Sequence, residues 1–224
     1  MPRLEPGALL ATNFDKRRSA TRRDGARILI GRLRPSDAPL LASGFAHLSA
    51  ESRRLRFLTA KPSLSESELR YLTEVDGHWH EALGAIDPET GEGIAVARFI
   101  RDRRDPTRAE VAVTVADDWQ RRGLGKLMLS RLVDRARDEN VARFIALVST
   151  ENQGMQALLE GLDAPAHIAH VSGSVAEYEI ELAPRGLGAQ LEAALRAAAA
   201  GHLRVPPRVR EALRALVPLH FDRG

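Results

Sequence analysis

A chain of 224 residues with 44% hydrophobic and 28% charged side chains can build one medium α/β domain plus an appended segment, and two full domains would be tight. The net charge of +3 rests almost wholly on arginine, since Lys16, Lys61 and Lys126 are the only lysines; arginines interleaved with Asp and Glu read as a solvated surface, and no nucleic-acid-binding motif accompanies them. The lack of cysteine excludes disulfides, thiolate metal sites and a cysteine nucleophile, and no stretch approaches the roughly 18 apolar residues of a membrane span.

The amino terminus has no apolar signal-peptide core, so a cytoplasmic protein is expected, with neither nucleic acid nor membrane as partner. Residues 1–25 carry Pro2, Pro6, Gly7 and a basic run at Lys16, Arg17 and Arg18 with little apolar periodicity, which reads as a flexible basic arm. A domain is expected over residues 26–183. Arg27 to Arg34 has strand character, and Pro35, Ser36 and Asp37 supply turn and cap chemistry for a helix through His47. Ser49 and Ser65 head two further short helices.

Two short apolar runs, Glu81 to Ile86 and Gly93 to Ile100, flank the turn residues Asp87 to Glu92, and a second turn at Asp105 and Pro106 leads into Ala109 to Ala116. Three antiparallel strands in succession are predicted. From Gly123 to about Asn140, Leu124, Leu127, Met128, Leu132, Val133 and Ala136 recur at helical spacing, and Arg143 to Val148 is a buried strand. A helix between two strands predicts that they run parallel. Another helix begins at Glu151 or Asn152, with Met155, Leu158, Leu159 and Leu162 on its apolar face, and Ala166 to Val171 and Val175 to Leu182 are the last two strands. Residues 184–224 change composition to an alanine-rich helical extension, for which packing on the domain, a homodimer contact or a loose tail all stand open.

The chemistry concentrates between Glu110 and Asn152. An apolar strand there runs into the turn Gln120, Arg121, Arg122, Gly123, Leu124, Gly125, which opens directly into a helix. Glycines allow a ligand close to the backbone, a helix amino terminus offers unpaired N–H donors, and Arg121, Arg122 and Lys126 add positive charge. Such a turn is built to cradle a diphosphate. The phosphate-loop and dinucleotide-binding patterns are both absent.

The string Gln120 to Gly125 after the strand Val111 to Val115 resembles the acyl-CoA-binding motif of the GNAT superfamily of N-acetyltransferases, and the likeness extends to Asn152 and Met155, covering roughly Ile28 to Leu182. It implies a mixed α/β fold whose splayed sheet of about six or seven strands is flanked by helices. Acetyl-CoA is then the cosubstrate, pairing with backbone near Val113 and Val115, its diphosphate over Arg121 to Lys126, with Asn152 at the site's edge and no metal. Within the superfamily, Thr107 to Val113, with Leu33 to Asp37 and Ser49 to Phe57, look like the catalytic domain of bacterial protein lysine acetyltransferases, which places the general base on Glu110.

A lysine-like ammonium has a pKa near 10.4, so a neutral amine at pH 7 costs about 4.6 kcal/mol, and a carboxylate at the acyl site answers that need. Pairing of Glu110 with Arg98 or Arg108 is the structural alternative. No proton donor for the thiolate is evident, since Leu159 stands where many relatives have a tyrosine, and Leu162-Asp163-Ala164 departs from the usual Leu-Gly-Phe. His78 and His80 read as surface or loop groups, or as a substrate mouth. The expected function is acetyl transfer to an amine, favouring a protein lysine. A small-amine acetyltransferase and a non-catalytic acyl-CoA-binding regulatory module are the alternatives, and no appended regulatory domain is expected.

Overall fold

The computed structural model describes residues 18–21, 27–162 and 164–183. The chain divides into two units, residues 1–182 and 183–224, and the expected helical extension lies outside the described residues. Asp163, in the atypical turn, lies outside them too.

In chain order the first unit contains β1 (Arg18–Thr21), β2 (Arg27–Arg32), α1 (Ala38–His47), α2 (Ala50–Phe57), α3 (Glu66–Thr73), β3 (His80–Ile86), β4 (Gly93–Arg101), β5 (Arg108–Val115), α4 (Leu124–Asp138), β6 (Arg143–Ser149), α5 (Gln153–Glu160), β7 (Ala166–Ser172) and β8 (Val175–Glu181). The strands form one sheet in the order β1-β2-β3-β4-β5-β6-β8-β7. Neighbours are antiparallel except β5 and β6, which run parallel with α4 crossing between them. The sheet has eight strands rather than six or seven because Arg18–Thr21, within the stretch read as a flexible arm, pair with Arg27–Ile30 as an edge strand. A four-residue edge strand has only one pairing partner to satisfy, so it needs no strong hydrophobic pattern of its own.

Helix α4 buries Leu124, Met128, Leu129, Leu132, Val133 and Ala136, the stripe expected from its 3.6-residue period. The stripe joins Phe99, Val111 and Phe144 in the main core, and the Phe99 and Phe144 rings lie 5.8 Å apart. Full burial of a Leu or Met side chain contributes about 1.5–3 kcal/mol, so α4 is held by packing far more than by helix propensity. On the other face α1 packs on β4 and α2 on β5. Both short helices are capped: Ser49 Oγ accepts from the Ser52 N–H at 3.1 Å, and Ser65 and Glu68 form a reciprocal capping box at the start of α3.

One charged residue is wholly enclosed. Glu81 on β3 has no exposed surface, and it accepts from Arg32 Nε and Nη2 at 2.9 and 2.6 Å and from Arg135 Nε and Nη2 at 3.1 and 3.0 Å. The two forks bind β2 and α4 to the centre of the sheet, and the hydrogen bond to Glu81 raises the pKa of Arg32. Because the arginine side chains keep 42% and 34% of their surface while the carboxylate keeps none, losing the acid lets the cations return to water, but losing both cations strands a buried anion. The double substitution Arg32→Met with Arg135→Met is expected to destabilise by about 3–5 kcal/mol and Glu81→Gln by about 1–3 kcal/mol, read from urea unfolding midpoints at unchanged slope.

Candidate active site

Pairing of β5 with β6 covers only Arg108–Arg143, Ala109–Phe144 and Glu110–Ile145. Beyond Glu110 the strands diverge. The Ala116 N–H donates to Ile94 O on β4 at 2.9 Å, so alternation along the strand turns the N–H and C=O of Ala112 and Thr114 toward β4 and those of Val113 and Val115 toward the gap. A cleft of about 990 Å³ fills the gap, walled by Glu110 to Val115, the turn before α4, Leu147, Val148 and residues 151 to 158. Unpaired strand groups facing a cleft of this size invite a ligand with amide groups of its own.

The turn closes one end. Arg121 and Gly123 take left-handed conformations, φ 55° and 80°, and Gly123 is the residue preceding α4. Successive turns of this kind point backbone N–H groups into one concavity, and the first N–H groups of α4 have no partner within the helix. Arg121, Gly123, Gly125 and Lys126 line the cleft, whereas Arg122 does not: its guanidinium lies 5.9 Å from the Trp119 ring centroid. The left-handed step at Arg121 redirects the chain between these two adjacent arginines. The two glycines differ. An added Cβ at Gly123 would meet nothing within 4 Å, so conformation and the open approach to the cleft select glycine there. At Gly125 it would meet Leu158 Cδ2 at 3.4 Å and Val115 Cγ2 at 3.6 Å, ordinary contact distances, so neither space nor backbone conformation demands glycine there.

Gln120 Nε2 donates to Val115 O, Asp117 Oδ1 and Ser52 Oγ at 3.2, 3.1 and 3.2 Å, which ties the turn to β5 and to α2. Asp117 completes that joint by accepting from the Ser49 N–H at 2.7 Å and from Ser52 Oγ. Burial pushes the Asp117 carboxyl up, but hydrogen bonds from Ser52, Ser49 and Gln120 outweigh it and hold the group below its ordinary pKa. Across the cleft, Asn152 caps α5 through Oδ1, which accepts from the Met155 N–H at 3.0 Å, so its place in the wall also has a local structural cause. Arg54 of α2 reaches Glu151 on that wall at 2.6 Å. Water screens this exposed pair, which positions α2 more than it stabilises it.

Glu110 is exposed at the foot of the cleft, where β5 leaves β6, and among the described residues it forms no ion pair with Arg98 or Arg108. Its face of the sheet continues through Ala112 and Thr114, which line a second, apolar cavity of about 80 Å³ beneath α1 and α2. Arg56, Phe57, Ala112 and Thr114 border both spaces. The sequence named Arg98 only as a possible partner of Glu110 and gave Arg56 no role of its own, the two being 42 positions apart with no motif between them. His80 is buried behind Arg98, and burial together with Arg98 lowers its pKa to about 4. His78 instead pairs with Glu139 at 2.8 Å, so neither histidine lines the cleft. Leu159 is packed in the core, 1% exposed, and supplies no proton. Among the described residues no cluster of three or more His, Asp or Glu side chains is arranged to hold a metal ion, and no helix is long and apolar enough to cross a membrane.

A parallel strand pair that splays, a basic turn at the head of the crossing helix, and an acidic residue at the point of splaying define an acyltransferase-type site. A family model described as an acetyltransferase (GNAT) domain matches residues 27–164, and the chain belongs to that family. It is 35% identical over 130 residues to acetyltransferase Pat of Mycolicibacterium smegmatis, covering 58% of this chain and 39% of that protein. Acetyltransferase PA5475 of Pseudomonas aeruginosa is 30% identical over 137 residues, covering 60% of this chain and 73% of that one. The crystal structure of the GNAT domain of S. lividans PAT superposes with a TM-score of 0.69 at 26% identity, covering 74% of this chain and 97% of that domain. The chain thus spans well under half of the first of these relatives.

The contrast between the two glycines is testable without ligand. Gly123→Ala is expected to lower stability by about 1–2 kcal/mol through its left-handed backbone, whereas Gly125→Ala is expected to stay within about 1 kcal/mol of the parent, since an added Cβ there meets only ordinary contacts. Chemical denaturation of both variants checks it.

Proposed function

We propose that the chain is an acetyl-CoA-dependent N-acetyltransferase that transfers acetyl to an amine by direct attack, with a protein lysine as favoured acceptor and Glu110 as general base. The observation that carries this reading is the stretch of β5 beyond the β6 pairing, where the backbone of Val113 and the N–H of Val115 face the cleft, leading from Glu110 at one end to the α4 turn at the other. The pantetheine amides match the strand edge, and the diphosphate matches the N–H groups at the α4 amino terminus with Arg121, Lys126 and the Gly123 backbone. Gln120 and Asn152 hold the two ends of the cleft through the contacts above, and Gly125 lies beside Val115 at the start of α4. Arg122, turned toward Trp119, contributes charge at a distance.

With the thioester beside Glu110, the acceptor ammonium gives a proton to the carboxylate, directly or through water. The neutral nitrogen then attacks the thioester carbonyl, the N–C bond forms, the C–S bond breaks, the nitrogen releases its second proton to solvent, and CoA departs as a thiolate that takes its proton from solvent. A thiol with an ordinary pKa is a good enough leaving group for this to proceed without a dedicated acid, in keeping with the apolar Leu159. The resemblance of Thr107 to Val113, Leu33 to Asp37 and Ser49 to Phe57 to the catalytic domain of bacterial protein lysine acetyltransferases favours a protein lysine over a small amine.

Glu110→Gln is expected to bind acetyl-CoA within about threefold of the parent in calorimetry while slowing acetyl transfer near neutral pH by about 10²–10⁴-fold. The acceptor is found by screening proteins and small amines with labelled acetyl-CoA. Equal rates for parent and variant on the best acceptor would remove Glu110 as base.

A further inference from the structure

The sheet face carrying Glu110 holds two arginines that the donor half of the reaction leaves unused. Arg98 on β4 is the cross-strand partner of Ala112 on β5, and Glu110 and Thr114 stand two residues to either side, so Arg98, Glu110, Ala112 and Thr114 share one face. Helix α2 packs against β5 on that face and delivers Arg56 to the same place, at the border between the CoA-sized cleft and the 80 Å³ cavity.

Among the described residues neither cation forms an ion pair. Arg98 is 5% exposed, and only its Nη1 is engaged, donating to Leu72 O and to His80 Nε2 at 3.1 Å each. Since His80 must accept that bond, its ring is neutral, which agrees with its lowered pKa. Among the described residues Arg98 Nε and Nη2 have no hydrogen-bond partner. Arg56 has none at any nitrogen, and its guanidinium rests 4.9 Å from the Phe57 ring centroid. Burial lowers the pKa of both groups, and Arg56 lowers that of Arg98 further, so the two cations feel each other while the one carboxylate that favours the charge on Arg56 is Glu110. Asp37, the acid in the cavity wall, accepts from the Arg34 N–H at 3.0 Å and is within ion-pair distance of neither arginine.

Buried charges in folded proteins are paired or hydrogen-bonded, and two guanidinium forks beside a small space are the arrangement that holds a carboxylate through parallel N–H···O bonds. A space of about 80 Å³ is several times what one water needs, which is room for a carboxylate on a short aliphatic stem. We propose that Arg56 and Arg98 form a carboxylate-binding site on the acceptor side of Glu110, so that the preferred acceptor amine carries a carboxylate close by. The proposal rests on the acetyltransferase reading above and specifies its acceptor. A carboxylate there neutralises the buried Arg98 and the partly exposed Arg56 and fixes the acceptor relative to Glu110, and a neighbouring cation on the acceptor is rejected. The carboxylate has two sources, an acidic side chain beside a peptide lysine or the α-carboxylate of a free amino acid.

Binding to the CoA-loaded protein, measured by titration calorimetry, tests this without turnover. Two matched pairs serve as probes: blocked Gly-Lys-Asp against Gly-Lys-Asn, and free lysine against lysine amide. In at least one pair the carboxylate member is expected to bind tenfold or more tightly, and the responding pair names the source. The ratio is expected to fall toward one in Arg56→Gln and to be partly kept in Arg56→Lys, with CoA binding by each variant confirming its fold; if Arg56→Gln does not hold CoA, Arg56→Lys alone decides, its ratio falling several-fold below the parent's. Equal binding within both pairs in the parent protein, or a ratio that survives Arg56 substitution, would overturn the proposal. Carboxylate selectivity without acetylation of any acceptor would sustain the site and count against the acetyltransferase reading instead.

Discussion

Strands β5 and β6 pair through three residues and then part, and the cleft, its polar edge and its acidic end all follow from that divergence. Had the pairing run on to Val115, the backbone groups of Val113 and Val115 would be consumed by β6 and nothing would separate α4 from α5. The crossing helix holds the gap open. Its amino terminus lies beside Val115 and Leu158 at Gly125, while its buried stripe fixes the rest of α4 to the core. Antiparallel neighbours on both outer sides, β4 against β5 and β8 against β6, satisfy the remaining edges of the diverging strands. The open edge is therefore confined to the place where a ligand can complete it.

The two faces of β5 then take separate work. Val111 belongs to the packed core with α4, whereas Glu110, Ala112 and Thr114, themselves small or charged, look toward the largely apolar undersides of α1 and α2. Helix α2 is attached to the cleft at both walls, through the Ser49, Ser52, Asp117 and Gln120 joint on one side and Arg54 with Glu151 on the other. Its position decides where Arg56 lies. A donor entering along β5 and an acceptor entering beneath α2 would meet at Glu110, the residue common to both approaches.

Much of this was legible in the residues themselves. The alternation of Val111, Val113 and Val115, the Gln120 to Gly125 turn and the 3.6-residue stripe from Leu124 to Ala136 are local patterns, and local patterns dictate a strand, a turn and a helix in that order. Other features depend on partners distant in sequence. Arg18 to Thr21 has no periodicity and becomes a strand only because β2 offers an edge. Arg122 and Arg121 are indistinguishable in sequence, and only the positive φ at Arg121 sends one to the cleft and the other to Trp119. Asn152 matched a binding pattern, yet its side chain also serves as the helix cap. Arg56, Arg98 and Glu81 are unremarkable charges in a chain rich in them, and burial by elements far away gives each its character.

Amide hydrogen exchange along β5 tests the central claim most directly. If acetyl-CoA completes the open strand edge, its addition slows exchange at Val113 and Val115, while Ala112 and Thr114, already turned toward β4, change little. Binding of acetyl-CoA that leaves Val113 and Val115 as fast as before, or no binding at all, would contradict the account.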